Sequence, residues 1–417
     1  MISIFNIYSK ILESCKTITV KEFQQVATTD QSYLTKFSSY FINIDGNKTN
    51  FENLNIELKR TNYSFSTIAL AETNVDPELQ NLYKMDGYNE FYQSITEGKN
   101  KGTGVALYVH EQFNAEIFDG PSFCSPDLES FFVKLSLPTS SETFITGVIY
   151  RPPSGDSKIF LEKFNEICAT LPKSGVRILG DFNIDFLKMN SNTNFASQFE
   201  DAIMSNGFSP VISIPTHQRS NCRPTCIDNI LTNDIDKVGI SGVISDSIGD
   251  HMPVFEISDI NLKKQGKEKH IKFYDYSNKN LEKFATKLQT DLEHHQVASD
   301  TFDGFVNIFK NALDLACKLE RPKVTKRSKI VNPWITDSII SAIDKKHELK
   351  RDWVKSKNKN LPDGDPVLHK TFTDYRSALN IIIVSAKNSF NQERILENKN
   401  DRNKTWKVIN ELRGKTK

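Results

Sequence analysis

The sequence predicts a mixed α/β (α+β) protein: two packed β-sheets with helices on their outer faces, then an all-helical, basic C-terminal region. Three observations carry this. Between residues 40 and 257, short apolar runs rich in β-branched and aromatic residues alternate with clusters of Gly, Pro, Asn and Asp. Only three segments in that span repeat their apolar residues at the 3–4 spacing of a helix. The charge also changes sign: residues 1–260 hold 20 Lys and Arg against 32 Asp and Glu (−12), and residues 261–417 hold 33 against 20 (+13). A chain of 417 residues exceeds one ordinary core at about 100–200 residues per domain, so two units with different tasks are expected.

The expected strands are Tyr40–Ile44, Ser66–Ala71, Gly104–His110, Ser130–Leu137, Thr143–Tyr150, Val176–Gly180, Cys226–Thr232, Val238–Ser245 and Met252–Ile257. The helices among them are Asn50–Arg60, Lys158–Leu171 and Asn194–Asn206, the last closed by Gly207. Beyond Ile260 the character changes. Asn261–His270 is polar and lysine-rich, and suits a linker. Long 3.6-period segments follow at Asn280–His294, Phe302–Leu319, Ile335–Lys355, Leu368–Asn398 and Asn403–Leu412, broken by a Pro- and Gly-containing loop, Asn358–Pro366. The division expected is an N-terminal extension (1–36), a sandwich domain (37–260), a linker (261–275) and a helical basic region (276–417).

Several classes are set aside. No stretch approaches the roughly 20 apolar residues that span a bilayer. Lys10 and Glu13 interrupt the N-terminal apolar run, unlike a secretory signal. The six cysteines are scattered, and only Cys222 and Cys226 lie close, with no second pair to complete a zinc site. Reduced thiols in an intracellular protein, nuclear or cytoplasmic rather than secreted, are the expectation.

Five short constellations sit at strand ends. Asn43-Ile44-Asp45-Gly46 places Asn43 and Asp45 on one face by alternation; alone, it reads as an Asp-Gly turn. Glu72 ends an apolar strand, where a carboxylate suits a hard cation or simply a solvated terminus. Gly180-Asp181-Phe182-Asn183 is the sharpest signal, because strand, Gly, acid and amide arrive together. Gly249-Asp250-His251 offers a histidine for proton transfer or phosphate contact, needing a carboxylate to fix its tautomer. Asp228, within an apolar strand, is the candidate partner, since a buried acid is costly unless paired. Tyr150-Arg151-Pro152-Pro153 sets a phenol and a guanidinium beside one another for phosphate, or forms an ordinary strand end before a Pro turn.

Taken in order, Asn43-x-Asp45-Gly46, Glu72, Tyr150, Gly180-Asp181-Phe182-Asn183, Asp228 and Asp250-His251 resemble the motifs of the endonuclease/exonuclease/phosphatase superfamily. Its members include pancreatic deoxyribonuclease, abasic-site endonucleases of the exonuclease III type and the endonuclease domains of non-LTR retrotransposons. The resemblance covers residues 40–258. It implies a four-layer sandwich and Mg²⁺-dependent phosphodiester cleavage, with Mn²⁺ as an alternative ion. Carried over residue by residue, it implies that Asn43, Asp45, Glu72 and Asp250 surround the metal. It implies further that His251, oriented by Asp228, contacts the scissile phosphate. Tyr150 and Asn183 would hold phosphoryl oxygens, and Asp181 would activate water or protonate the leaving oxygen. Arg151 and Thr225 would contact substrate. Many members carry Ser where this chain has Gly249, which removes a hydroxyl near the site but no ligand.

Tyr150-Arg151-Pro152-Pro153 with Gly155, Ile214-Pro215-Thr216 and Pro224-Thr225-Cys226-Ile227-Asp228-Asn229-Ile230 resemble retrotransposon endonucleases more than repair enzymes. Pro333-Trp334-Ile335-Thr336 and Thr405-Trp406-Lys407-Val408-Ile409-Asn410 resemble the connector before the reverse transcriptase in jockey-like elements. Polymerase motifs are absent before the chain stops after Leu412-Arg413-Gly414, so a truncated element product is expected. The function this implies is nicking of target DNA for retrotransposition. Abasic DNA, RNA or a phosphoinositide are alternative substrates on the same fold. A decayed element product that only binds nucleic acid is the alternative from another class. DNA is the expected partner, with element RNA as a second one for the basic region and no membrane. Solvated lysine-rich helices are the competing reading of that region. Residues 1–260 are expected to cut alone.

Overall fold

The computed structural model describes residues 15–29, 31–93, 102–120, 122–138, 142–189, 194–219, 222–246, 248–262, 270–274, 277–294, 302–322, 334–357 and 363–412. Parts of four expected features lie outside them: the N-terminal extension before Cys15, most of the linker, the start of the Asn358–Pro366 loop, and Pro333 with Arg413 and Gly414.

In chain order the first half runs β1 (Lys16–Ile18), α1 (Val20–Thr29), β2 (Lys36–Asn43), α2 (Asn47–Thr61), β3 (Thr67–Ala71), β4 (Tyr88–Gln93), β5 (Val105–His110), β6 (Asn114–Ile117), β7 (Phe123–Ser125), β8 (Leu128–Ser136) and β9 (Thr143–Tyr150). It continues with α3 (Ser157–Thr170), β10 (Val176–Asp181), α4 (Asn194–Ser205), β11 (Ser209–Pro210), β12 (Asp228–Thr232), β13 (Val238–Ile244) and β14 (Val254–Asn261). Two mixed sheets result. One has the order β1-β13-β14-β2-β3-β5-β4, the other β11-β12-β10-β9-β8-β6, with β7 added on β8. The pairs β1/β13, β2/β3 and β9/β10 are parallel, and the remaining pairs are antiparallel.

Period-2 alternation sorts the side chains. Phe41, Ala69 and Leu107 turn into the core that also takes Phe131, Val148 and Leu179 of the second sheet. Their neighbours Tyr40, Ile42, Leu70 and Tyr108 turn the other way, under Phe23 of α1 and Phe51, Leu54 and Leu58 of α2. On the far side, Phe160 and Phe164 of α3 pack on Phe199 of α4. The result is the layered α/β sandwich expected.

Three details differ from the expectation. First, the sandwich extends N-terminal of residue 37: β1 pairs with Gly242–Ile244, and Val20, Phe23 and Ala27 of α1 are buried. The strand has only three residues, too few for alternation to register. Second, the C-terminal region is not all-helical. His270–Tyr274 (β15) and Lys318–Pro322 (β16) form an antiparallel ribbon, and the helix expected over Phe302–Leu319 ends at Cys317. Only Ile271 and Phe273 mark β15, within a basic stretch that reads as linker. Third, the compact units do not follow the charge boundary. Residues 264–328 form one unit, while residues 329–417 cluster with residues 1–263.

The smaller unit holds the ribbon with α5 (Asn278–His294) and α6 (Phe302–Cys317), which meet through Phe284 and Phe309. In the larger unit α7 (Asp337–Ser356), α8 (Pro366–Glu397) and α9 (Arg402–Leu412) follow. Thr336 caps α7, and Asp365 caps α8 ahead of Pro366 at the first helical position. Trp334, Ile335, Ile339, Ile343, Leu379 and Ile383 bury Ile56 of α2. Beneath that core lies an ionic cluster. Arg60 pairs with Glu57, with Asp246 at 2.9 Å and with Asp344 of α7. His347 of α7 meets Glu57 at 2.7 Å, and Arg351 meets Asp246 at 3.3 Å.

Candidate active site

The site lies where ends of the two sheets face one another. Across the second sheet, registered pairing sets Glu129 opposite Tyr150, Tyr150 opposite Asp181, and Asp181 opposite Asp228. Registered partners share a face, so these four side chains form one row over β8, β9, β10 and β12. From the first sheet comes Asn43, at the end of β2. Its Nδ2 donates to Asp181 Oδ2 at 2.9 Å and to Glu72 Oε1 at 2.8 Å. The Tyr150 hydroxyl donates to the same Glu72 oxygen at 2.9 Å.

The backbone is bent to allow this. Among the described residues five non-glycine ones have positive φ, and four of them, Asp45, Glu72, Asn74 and Asn183, lie in or within two residues of these motifs. Asn and Asp tolerate that region; a Glu there is uncommon and must be held by its surroundings. Here the Glu72 carbonyl accepts from Gly46 N, and Asn74 Oδ1 accepts from Gly102 N and Thr103 N.

His251 forms the second half. Its Nδ1 sits 3.0 and 3.1 Å from the two oxygens of Asp228. Thr216 Oγ1 donates to Asp228 Oδ2 at 2.7 Å and accepts from Asp228 N and Ile227 N. The acid is therefore fixed from two sides. Burial works against a charged His251 ring, yet Asp228, by charge and hydrogen bond, with Asp181 and Asp250, carries its pKa up to about 10. It is an imidazolium at neutral pH. Asp181 is buried, and that burial plus the Asp228 charge raise it to about 7 against His251, Asn43 and the Asn183 amide. Ligand atoms of Asp181, Asp228 and His251 lie within 4.8 Å of one another.

Other expected residues fall around this centre in different ways. Asp45 is exposed and gives its backbone N–H to Asn43 Oδ1 at 3.1 Å. Asp250 accepts from Arg219 Nε at 2.8 Å and lies 3.3 Å from His217 Nε2. The His217 hydrogen bond first, then Arg219, hold it well below the carboxylate range. Asn183 N donates to Asp181 Oδ1, and its Nδ2 to the Arg151 carbonyl at 2.8 Å. Arg151 is buried. Its guanidinium bonds Gly155 O and Ser157 Oγ and lies over Phe195, so it braces the loop from inside. Thr225 pairs by backbone with His217, and its Oγ1 lies 3.3 Å from His217 Nδ1.

Sequence reading assigned no role to Glu129, Thr216 or His217. Glu129 Oε2 accepts from Gly104 N at 2.7 Å, while Oε1 is buried without a partner. Burial, with Glu72 adding to it, pushes its pKa to about 7. An acid opening an apolar strand was its only signal. The His217 ring stands 4.6 Å from that of His251.

The donor set suits a hard divalent cation. Glu72 is a carboxylate whose two described hydrogen bonds both land on Oε1, and Mg²⁺ asks for only one or two carboxylates beside water and phosphate oxygens. The four residues expected around the ion do not form a closed cage. Among the described residues, neither Glu72 nor Asp45 joins a three-residue acid/His cluster, and Asp250 groups with His217 and His251.

Residues 144–255, which include β9, β10, β12 and His251, match the family described as endonuclease-reverse transcriptase. The match covers 112 of the chain's 417 residues. No curated protein matches the chain. Among solved structures, the domain is similar to the endonuclease domain of TRAS1, a telomere-specific non-LTR retrotransposon. The identity is 12%, over 55% of this chain and all of that one, with a TM-score of 0.43. It is similar also to an AP endonuclease from Archaeoglobus fulgidus (15%, 54% of this chain and 100% of that one, TM-score 0.40). The catalytic domain of Xenopus laevis APE2 is a third (19%, 55% and 94%, TM-score 0.42). The family matched over residues 144–255 is one of endonucleases.

Proposed function

We propose that this chain is a Mg²⁺-dependent DNA endonuclease, with Mn²⁺ as a substitute ion, that nicks target DNA for a retrotransposon of the endonuclease–reverse transcriptase kind. The observation that carries the reading is the meeting of two half-sites: Asn43, Glu72 and Tyr150 on one side of Asp181, and Asp228 with His251 on the other. The matched family supports the retrotransposon context.

The chemistry follows from the groups. A water oxygen attacks phosphorus in line with the bond to the leaving oxygen, and that bond breaks, the leaving oxygen taking up a proton from solvent. Asp181 takes the proton of the attacking water; a carboxyl raised to about 7 is suited to accept and release one near neutrality. The imidazolium of His251 donates from Nε2 to a phosphoryl oxygen, since Asp228 occupies Nδ1. Asn183 orients the Asp181 carboxylate through its backbone N–H. Tyr150 and Asn43 hold Glu72 ready for the cation. When bound, the divalent ion supplies charge to the phosphoryl oxygens.

Nicking of supercoiled plasmid by the full chain, with Mg²⁺ and with EDTA, tests the reading. Abasic duplex, RNA and a phosphoinositide serve as parallel substrates. Asp181→Ala and His251→Ala are each expected to lower the rate by about 10²–10⁴. Cleavage of a phosphoinositide but not plasmid would replace the nuclease reading. Near-wild-type nicking by either variant would overturn the assignment of the site.

A further inference from the structure

The sequence offers Arg151 as the guanidinium that meets substrate, but the fold turns it inward, onto its own loop. Another guanidinium stands at the rim of the site. Arg219 donates from Nε to Asp250 Oδ2 at 2.8 Å, and its side chain is 67% exposed. It lies close enough to Glu72 for their charges to interact. Its charge thus bears on both half-sites, Asp250 beside His251 and Glu72 beside Tyr150.

The backbone sets its place. Met252 N donates to Thr216 O at 2.7 Å, Gln218 N donates to Asp250 O at 2.9 Å, and His217 exchanges backbone bonds with Thr225. Residues 216–218 are therefore stitched on both sides, and Arg219 comes next, so the segment that flanks His251 also delivers the guanidinium. Both described side-chain bonds of Asp250, from His217 and Arg219, land on Oδ2. A cation at the other oxygen does not require Arg219 to let go.

A guanidinium carries five N–H donors in one rigid plane, and the bond to Asp250 uses the one on Nε. The other four are on the two terminal nitrogens. Anchoring Nε to a carboxylate fixes the plane before substrate arrives, so less freedom is lost on binding. The acids of the site repel a phosphate chain, and residues 1–260 carry −12. A cation at the reacting centre offsets that repulsion.

We propose that Arg219 is a phosphate clamp: its terminal guanidinium nitrogens take the nucleic-acid backbone phosphate that neighbours the one at His251. This rests on the nuclease reading above. Paired N–H donation to phosphodiester oxygens is the contact to which this side chain is suited. Arg219 holds substrate and transfers no proton.

The test compares the full chain with Arg219→Gln and with the charge-preserving Arg219→Lys, and unfolding curves should show all three folded. Plasmid nicking in Mg²⁺ should show KM raised about tenfold in Arg219→Gln, with the Mg²⁺ midpoint unmoved. Binding to duplex DNA in EDTA at several salt concentrations should show a log–log slope shallower by about 0.9, the share of one phosphate. Arg219→Lys should keep the wild-type slope with an intermediate KM, because an ammonium keeps the charge without the fork. A wild-type chain that nicks, beside an Arg219→Gln chain with the same KM and slope, overturns the clamp alone. So does a shifted Mg²⁺ midpoint or a fall in kcat at unchanged KM and slope, which would leave Arg219 as a prop for Asp250. A wild-type chain inert on DNA overturns the nuclease reading and the clamp with it.

Discussion

Replacing Glu57 by Gln should loosen the grip between α2 and α7. Burial alone would raise the Glu57 carboxyl, but His347, by charge and hydrogen bond, then Arg60 and Lys346 outweigh it, bringing it from 4.5 to about 2. At about 1.4 kcal/mol for each pKa unit, that corresponds to roughly 3 kcal/mol of folded-state stability. At neutral pH the contribution is smaller, about 2 kcal/mol: burial keeps His347 below its ordinary value, so there it donates an uncharged N–H. Because the folded value is the lower one, the contribution is present above about pH 4.5 and disappears as pH falls through about 2. All three tryptophans, Trp334, Trp353 and Trp406, lie C-terminal of residue 328, and Trp334, just before α7, is buried against Ile56. Urea unfolding followed by tryptophan fluorescence therefore reads this interface. The expected result is a gap of about 2 kcal/mol at pH 7 that is nearly lost by about pH 2. A variant as stable as wild type at pH 7, or a gap undiminished at about pH 2, would refute the reasoning.

Glu72→Gln should move the midpoint of the Mg²⁺ titration of nicking upward by more than it weakens DNA binding, since an amide is a poor ligand for a hard cation; an unmoved midpoint counts against Glu72. Glu129→Gln should stabilise the chain in EDTA above pH 7 and not at pH 4. The folded carboxyl is raised from 4.5 to about 7, so stability is lost as the unfolded group ionises through that window; equal melting temperatures at pH 8 would say otherwise. Deleting residues 329–417 should impair nicking rather than spare it, because Ile56, Glu57 and Arg60 lose their cover and partners. A truncated chain with wild-type kcat and stability would restore the self-contained 1–260 domain expected from charge alone.

Much of the sandwich is legible in the residues. Thr143–Tyr150 is expected and found at the same bounds, and β3, β5, β10 and β13 differ by a residue at one end, because β-branched runs between turn residues state their own limits. The site is legible in part. Asn43, Glu72, Tyr150, Asp181, Asp228 and His251 come together, whereas Arg151 spends its donors inside the loop. Nothing local distinguishes a guanidinium that meets substrate from one that stacks on Phe195.

By itself the sequence determined which residues end strands, which faces are apolar and where the charge changes sign, since these depend on neighbours a few positions apart. The tertiary structure decided what distance in sequence hides. Register set Glu129, Tyr150, Asp181 and Asp228 in one row, and sheet packing carried Asn43 to within 2.9 Å of Asp181. It also placed His347 on Glu57, 290 residues away. A basic helix that reads as a solvated tail became part of the larger unit because its apolar stripe found Ile56 and its charges found buried partners, and period alone names no partner.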